Sequence, residues 1–322
     1  MIPSIDVSAL FLGPALARDP VDAALAAAAR ETGFMTVTSL PGNALAADLR
    51  KQLLAIFALS NAQKRALCRR SFAPENPNVY RGWFPLQDGH PTYKEGIDIG
   101  PDLVRPLPHD PADPLTEPTP LPDLPEWRAA AATYYRAMES TGAKLMQALA
   151  RGLGLPETVF DAAFRNGIST LRLIRYPVRP MAALDPAHRV GSGYMLGAPH
   201  VDSGLVTLLA QDGVAGLEVE DRAGNWIGVT PTEGTLVVNF GKLLERWTGG
   251  KLRATRHRVV GSGAERFSIP FFYEPAVDAV IAPLGLGDAF APVAYGDHLW
   301  EATTQFIEQR GIAHLRKPQA AR

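Results

Sequence analysis

Apolar positions follow two different periods along the chain, and the change between them falls near residue 165. Before it the spacing is helical. Residues 21–32 (VDAALAAAARET) are alanine-rich, favour helix, and meet Gly33 where a helix would stop. The next five residues, 34–38 (FMTVT), read as a strand, and 43–58 as a second amphipathic helix. Ser60 is placed to cap a short third helix carrying Lys64 and Arg65. The longest predicted helix runs from Glu126 to Leu153. Its apolar stripe is Trp127, Ala131, Tyr134, Met138, Thr141, Leu145 and Leu149. A short helix near 157–165 ends this part.

Beyond it the period falls to two. Strands are predicted at 169–177, 205–211, 215–220, 225–230, 234–240, 255–261 and 266–274, separated by Gly, Pro, Asp and Asn. Short strands in series predict a sandwich or barrel of the jelly-roll kind. Helices first and strands later give an α+β chain with a mainly β core. A terminal helix is predicted over 297–310. Residues 81–100 are aromatic and mixed in charge, as strands and turns about a pocket would be. The nine prolines of 101–125 forbid regular structure and predict an ordered, irregular excursion. An N-terminal region, 1–120, and a core, 121–322, are expected to pack as one unit.

Composition narrows the function. With 32 basic against 33 acidic residues the net charge is −1, too weak a field to hold nucleic acid or an anionic membrane. Cys68 is the only cysteine, so no internal disulfide forms, which fits a cytoplasmic protein. The first residues lack the basic and apolar regions of a secretion signal, and no apolar run approaches the ~20 residues of a membrane span. A small-molecule substrate is therefore expected.

The chemistry gathers around 197–210, GAPHVDSGLVTLLA. In extended chain His200 and Asp202 would share a face and reach one centre. His257, 55 residues beyond Asp202 in a strand-like segment, is the candidate third ligand. Two histidines and one carboxylate leave one face of an octahedron open, which suits non-haem Fe(II) and O2. Arg266 and Ser268 follow on the next strand and again share a face. A guanidinium beside a hydroxyl is a good carboxylate receptor, to which the Tyr176 hydroxyl would add a donor. A dicarboxylate chelating the metal would be clamped there at its far end.

These residues sit in segments that resemble one family along nearly the whole chain. IPSIDVSAL, ARETGFMTV, LIRYP, PHVDSGLVTLLAQD, GLEVEDRAGNWIGV, NFGKLLERWTGGKLRATRHRV and ERFSIPFFYEP are similar to successive motifs of the isopenicillin N synthase-like Fe(II)/2-oxoglutarate-dependent oxygenases. The resemblance implies a double-stranded β-helix with flanking helices. It implies His200, Asp202 and His257 as iron ligands. Arg266 and Ser268, assisted by Tyr176, would bind 2-oxoglutarate, with O2 as oxidant and a small molecule hydroxylated. The pattern departs from plant members at Ile174, at Gly241-Lys242 and around 39–42.

Two alternatives remain at this stage: an iron oxidase that holds a substrate carboxylate with the same Arg-x-Ser pair and uses no 2-oxoglutarate, and a non-catalytic β-helix protein that binds a metal or carboxylate. Arg81, Trp83 and Phe84 are candidates for the substrate pocket. Lys94, Glu95 and Asp98 read as solvated or ion-paired surface. His90, His109, His188, His298 and His314 read as surface or structural.

Overall fold

The computed structural model describes the chain except at residues 13–14, 88–89, 91, 180–184, 262, 288, 310 and 319–322, and without the side chains of 15 and 16. The helices are α1 Ala9–Leu12, α2 Ala15–Glu31, α3 Ala47–Leu54, α4 Asn61–Ala66, α5 Trp127–Gly152, α6 Asp161–Phe164, α7 Lys242–Trp247 and α8 Tyr295–Thr303. The stripe predicted on α5 is buried throughout. Ser60 caps α4 in a reciprocal capping box with Gln63. The terminal helix is shorter than its periodicity suggests. Thr303 and Thr304 turn their hydroxyls back onto the Leu299 and Trp300 carbonyls at its end. The chain then continues as a 3-10 turn, Ile307–Gln309.

The strands are β1 Ser4–Asp6, β2 Phe34–Thr38, β3 Gly82–Phe84, β4 Glu95–Ile99, β5 Thr170–Tyr176, β6 Arg189–Val190, β7 Gly193–His200, β8 Val206–Gln211, β9 Leu217–Glu220, β10 Trp226–Gly228, β11 Leu236–Phe240, β12 His257–Gly261 and β13 Arg266–Tyr273, with a small hairpin of β14 Val280–Ile281 and β15 Val293–Ala294. An eight-stranded sheet has the order β1-β2-β11-β8-β13-β5-β4-β3, and a five-stranded sheet the order β10-β9-β12-β7-β6. Together they form the expected jelly roll. Each predicted strand is present; β1, β6, β14 and β15 are short additions, and the longest addition is β7. Its glycines hide it from propensity and exist for packing: a Cβ on Gly193 would lie 2.4 Å from the Gly261 carbonyl oxygen.

The eight-stranded sheet is covered on both faces, and the strand period of two sorts its residues. Leu171, Leu173, Leu208, Leu236, Val238, Ile269 and Phe271 join the main core, against which α5 packs. Ile174 and Tyr176 turn the other way, to Tyr194, Leu196 and Val259 of the five-stranded sheet. By the same alternation Thr170 and Arg172 on β5, Thr207 and Gln211 on β8, Asn239 on β11, and Arg266, Ser268 and Phe272 on β13 belong to the inner face. Thr207, Asn239, Arg266 and Ser268, considered below, are among these inner positions.

The first 120 residues supply edge strands rather than a separate body. β2 pairs with β11, and β4 pairs with β5. The proline-rich 101–125 stretch is irregular and well tied: Glu117 accepts N–H groups of Val79 and Tyr80 at 2.9 and 2.6 Å, and Asp113 binds Arg316 at 2.9 Å. No helix among the described residues is long and apolar enough to cross a membrane.

The loop after β7 is held by α7. The first N–H groups of that helix have no partner within it, and those of Lys242, Leu243 and Leu244 donate to the carbonyls of Asp202, Ser203 and Gly204 at 2.8, 3.2 and 3.4 Å. The approach requires glycine at the helix start, because a Cβ on Gly241 would stand 2.3 Å from the Gly204 oxygen. Gly241→Ala is expected to destabilise the protein by about 1–3 kcal/mol, the usual cost of an overpacked site. A thermal melt with an unchanged midpoint would refute this account of the loop.

Candidate metal centre and adjoining cavity

His200 is the last residue of β7 and His257 the first of β12, and the antiparallel register sets them opposite each other. Their ring centroids are 4.3 Å apart. Asp202 lies beyond the end of β7, in the loop that α7 fixes, so it does not share a strand face with His200 as an extended chain would give. The loop nevertheless brings Oδ1 of Asp202 to 3.6 Å from Nε2 of His200 and 3.7 Å from Nε2 of His257. One ligand atom from each residue falls within 4.8 Å of the others, so the triad read from sequence is brought together.

Neighbouring groups orient all three. Nδ1 of His200 faces the Ala198 carbonyl at 2.8 Å, and Nδ1 of His257 the Thr255 carbonyl at 3.1 Å. A carbonyl only accepts, so each Nδ1 carries the proton and each Nε2 presents its lone pair inward. Oδ2 of Asp202 accepts from Thr207 Oγ1 at 2.6 Å and Asn239 Nδ2 at 2.7 Å, which leaves Oδ1 turned to the imidazoles. Burial opposes ionisation of Asp202, but the two histidines and Thr207 outweigh it and hold its carboxyl far below the usual range. Burial pushes His257 down to about 4, against the attraction of Asp202. The donor set is neutral imidazole, neutral imidazole and carboxylate, the set that fits a divalent iron. Thr207 and Asn239 were not found from the sequence, and only the inward alternation along β8 and β11 marks them.

Arg266 lies on the inner face of β13 and is 1% exposed. Nη2 donates to Gln211 Oε1 at 3.4 Å, while Nε and Nη1 have no hydrogen-bond partner among the described residues. A buried guanidinium with two unmatched N–H groups is costly unless an anion completes it, so the residue fits a carboxylate. Ser268 is buried two residues on, along the same face. Tyr176, opposite Arg266 in the strand register, lays its ring 5.1 Å from the guanidinium carbon.

Beside the metal loop opens a cavity of about 400 Å³. His200, Asp202, Tyr80, Lys94, Arg172 and Glu274 lie on its wall, closed on one side by residues 303–309. Arg81, Trp83 and Phe84 do not lie on that wall. They are buried outside it: Arg81 donates to Thr170 Oγ1 and the Ile168 carbonyl at 2.7 and 3.0 Å, Trp83 packs on Phe57 and Phe84 on Arg69. Strand β3 is covered on both sides, and the adjacent Tyr80 reaches the cavity instead. Lys94, Glu95 and Asp98 are ion-paired, but not on the surface: Glu95 and Asp98 are buried and Lys94 is partly buried on the cavity wall. Lys94 pairs with Glu308 at 2.9 Å, Glu95 with Arg175 at 2.9 Å, and Asp98 with Arg172 at 2.5 Å. Burial disfavours the Asp98 charge, but Arg172 and Arg69 hold its carboxyl at about 2. His90 lines the cavity, and His298 contacts the Ser203 carbonyl at 2.9 Å behind the metal loop.

Comparison with known proteins agrees with this geometry. Residues 169–275 match the model of the 2OG-Fe(II) oxygenase superfamily, and residues 2–124 that of the non-haem dioxygenase in morphine synthesis N-terminal region. Isopenicillin N synthase of Streptomyces clavuligerus is 30% identical over 96% of this chain and 97% of its own length. The 2-oxoglutarate-dependent dioxygenase htyE of Aspergillus rugulosus is 31% identical over 80% of this chain and 82% of its own. A Neurospora crassa protein solved with alpha-KG and 5-formyluracil superposes with a TM-score of 0.78 at 25% identity, over 92% of this chain and 94% of that one. The chain belongs to the isopenicillin N synthase-like group of the 2-oxoglutarate/Fe(II) oxygenases. The family and its homologues are non-haem dioxygenases that use Fe(II) and 2-oxoglutarate, and the His-Asp-His centre of this chain fits that iron.

Removing the support of Asp202 tests the centre. Asn239→Ala is expected to weaken Fe(II) binding by about 10- to 100-fold, the usual effect of losing a partner that orients a ligand. Anaerobic calorimetry showing unchanged affinity would contradict the role given to Asn239. A second expectation concerns Glu274, whose carboxyl burial raises to about 7 from an ordinary 4.5. A raised folded-state value makes its contribution complete below pH 4.5 and lost as pH rises through 7. Glu274→Gln should flatten the pH dependence of the melting temperature between those limits, and a slope equal to that of the parent protein would count against it.

Proposed function

We propose that the enzyme hydroxylates a small molecule held in the cavity, with His200, Asp202 and His257 as iron ligands. Arg266 and Ser268, with Tyr176 packed against the guanidinium, would hold the distal carboxylate of 2-oxoglutarate. The observation that carries this reading is the buried guanidinium of Arg266, with two N–H groups unmatched. Bound Fe(II) supplies the oxidising chemistry with O2 and 2-oxoglutarate, the latter leaving as succinate and CO2.

The protein's part is positioning and exclusion of water. His200 and His257 offer fixed lone pairs, and Thr207 and Asn239 keep one oxygen of Asp202 directed at the centre. Phe272, Leu299 and Phe306 give the cavity an apolar wall that orients a substrate. The near-balanced charge argues against nucleic acid as substrate, and the lone, buried Cys68 suits a cytoplasmic enzyme. A second reading, iron oxidation without 2-oxoglutarate, is favoured by the 30% identity to isopenicillin N synthase across nearly the whole chain.

Arg266→Gln is expected to raise KM for 2-oxoglutarate by about 10- to 100-fold, since a charge-assisted hydrogen bond is worth roughly 1.5–3 kcal/mol. Succinate release measures it. Turnover that persists without 2-oxoglutarate would reject the first reading in favour of the second. His200→Ala should abolish the visible charge-transfer band of the anaerobic Fe(II)/2-oxoglutarate complex, and survival of the band would remove His200 from the ligand set.

A further inference from the structure

Two buried polar side chains on the cavity wall take no part in the chemistry above. Glu274 follows the last residue of β13 and is 6% exposed. Its Oε2 accepts from Thr170 Oγ1 at 3.1 Å, the buried Tyr295 hydroxyl donates to the same carboxyl, and Glu274 has no ion-pair partner among the described residues, which leaves acceptor capacity toward the cavity. The Thr170 hydroxyl accepts in turn from Arg81 Nη1 at 2.7 Å, so a guanidinium stands one hydroxyl behind the carboxyl. Gln309, in the 3-10 turn that closes the cavity, is 2% exposed, and its Nε2 has no hydrogen-bond partner among the described residues. The wall thus offers a buried acceptor and an unmatched buried donor, and such groups are ordinarily paired.

The charges around them narrow what pairs with them. Lys94 and Arg172, the cations of the wall, are already neutralised by Glu308 at 2.9 Å and Asp98 at 2.5 Å. An anionic substrate would find no uncommitted lysine or arginine on the described wall and would face Glu274. A cationic one would meet Lys94, Arg172 and, behind Thr170, Arg81. Burial lifts the Glu274 carboxyl to about 7, so it receives a donor without a full buried charge to balance. Leu205, Phe272, Leu299 and Phe306 surround these groups with apolar surface.

We propose that Glu274 and Gln309 select the substrate, an uncharged small molecule with an apolar body, an N–H donor for Glu274 and a carbonyl acceptor for Gln309, as in a lactam, imide or carboxamide. Arg81 is a positioning residue that holds Thr170 and, through it, Glu274. The assignment rests on the cavity being the substrate chamber of the iron centre.

The test uses the full-length protein loaded with 2-oxoglutarate, which fills the Arg266 receptor, and with Zn(II) as a diamagnetic stand-in for Fe(II), against three bicyclic probes: 2-quinolone, its N-methyl derivative without the N–H, and 2-naphthoate. Ligand-observed NMR titration is expected to give 2-quinolone at least about 10-fold tighter binding than either of the others, a difference of about 1.4 kcal/mol. That advantage over the N-methyl compound should fall to within about 2-fold in Glu274→Leu. Gln309→Leu, on the closing segment, should weaken both quinolones together. Circular dichroism identifies a variant that fails to fold, and the comparison within the parent protein needs no variant. Failure of 2-quinolone to bind, equal binding of the N-methyl compound or of naphthoate, or an advantage unchanged in both folded variants would each overturn the proposal. The iron and 2-oxoglutarate reading fails separately, by loss of the charge-transfer band or by turnover without 2-oxoglutarate.

Discussion

The fixing of Asp202 is the contact on which the rest depends, because it joins the two sheets at one point. Its imidazole neighbours, His200 and His257, belong to the five-stranded sheet, while the side chains that hold its second oxygen, Thr207 and Asn239, belong to the eight-stranded one. Its backbone is fastened by α7. A carboxylate buried without these partners would be neutralised, since desolvation alone disfavours the charge. With them it is a preformed anion, aimed before any ligand arrives. The site is therefore a property of how the sheets pack and not of a single motif.

The inner face of the eight-stranded sheet divides the remaining work by position along the strands. Arg266 and Ser268 stand at the start of β13 with two unmatched guanidinium N–H groups, while Phe272 and Glu274 stand at its far end, on the cavity wall. One strand thus carries a carboxylate receptor at one end and a hydrogen-bonding wall at the other. Pairs of opposite charge, Lys94 with Glu308 and Arg172 with Asp98, line or back that wall without leaving it strongly charged.

Much of this was legible in the chain, and what was not has a common cause. The α5 stripe, the strands beyond residue 165 and the His-x-Asp, His and Arg-x-Ser residues are all local patterns, and the structure brings the triad together. His200 and Asp202 do not meet as neighbours on one extended strand, because the strand ends between them and α7 supplies the geometry. The charges of 94–98 read as surface because their partners are far away in sequence: Glu95 meets Arg175 and Asp98 meets Arg172 only once β4 lies beside β5. Glu274 and Gln309 escaped for the same reason. Arg81, a pocket candidate by sequence, lies one hydroxyl behind the wall, where no sequence pattern distinguishes it from a lining residue.

The sharing of one sheet between distant segments bears on how such chains can be recombined. Two family models meet this sequence as separate stretches, 2–124 and 169–275. The hydrogen bonds do not respect that division, since β2 from the first stretch pairs with β11 from the second, and β4 with β5. A chimera that exchanged the first stretch would replace a neighbour of β11 and of β5 at once, with about 200 residues between β2 and β11 to be closed before those two strands pair. Such a graft inherits the metal ligands intact and still must rebuild, strand by strand, the frame that aims them.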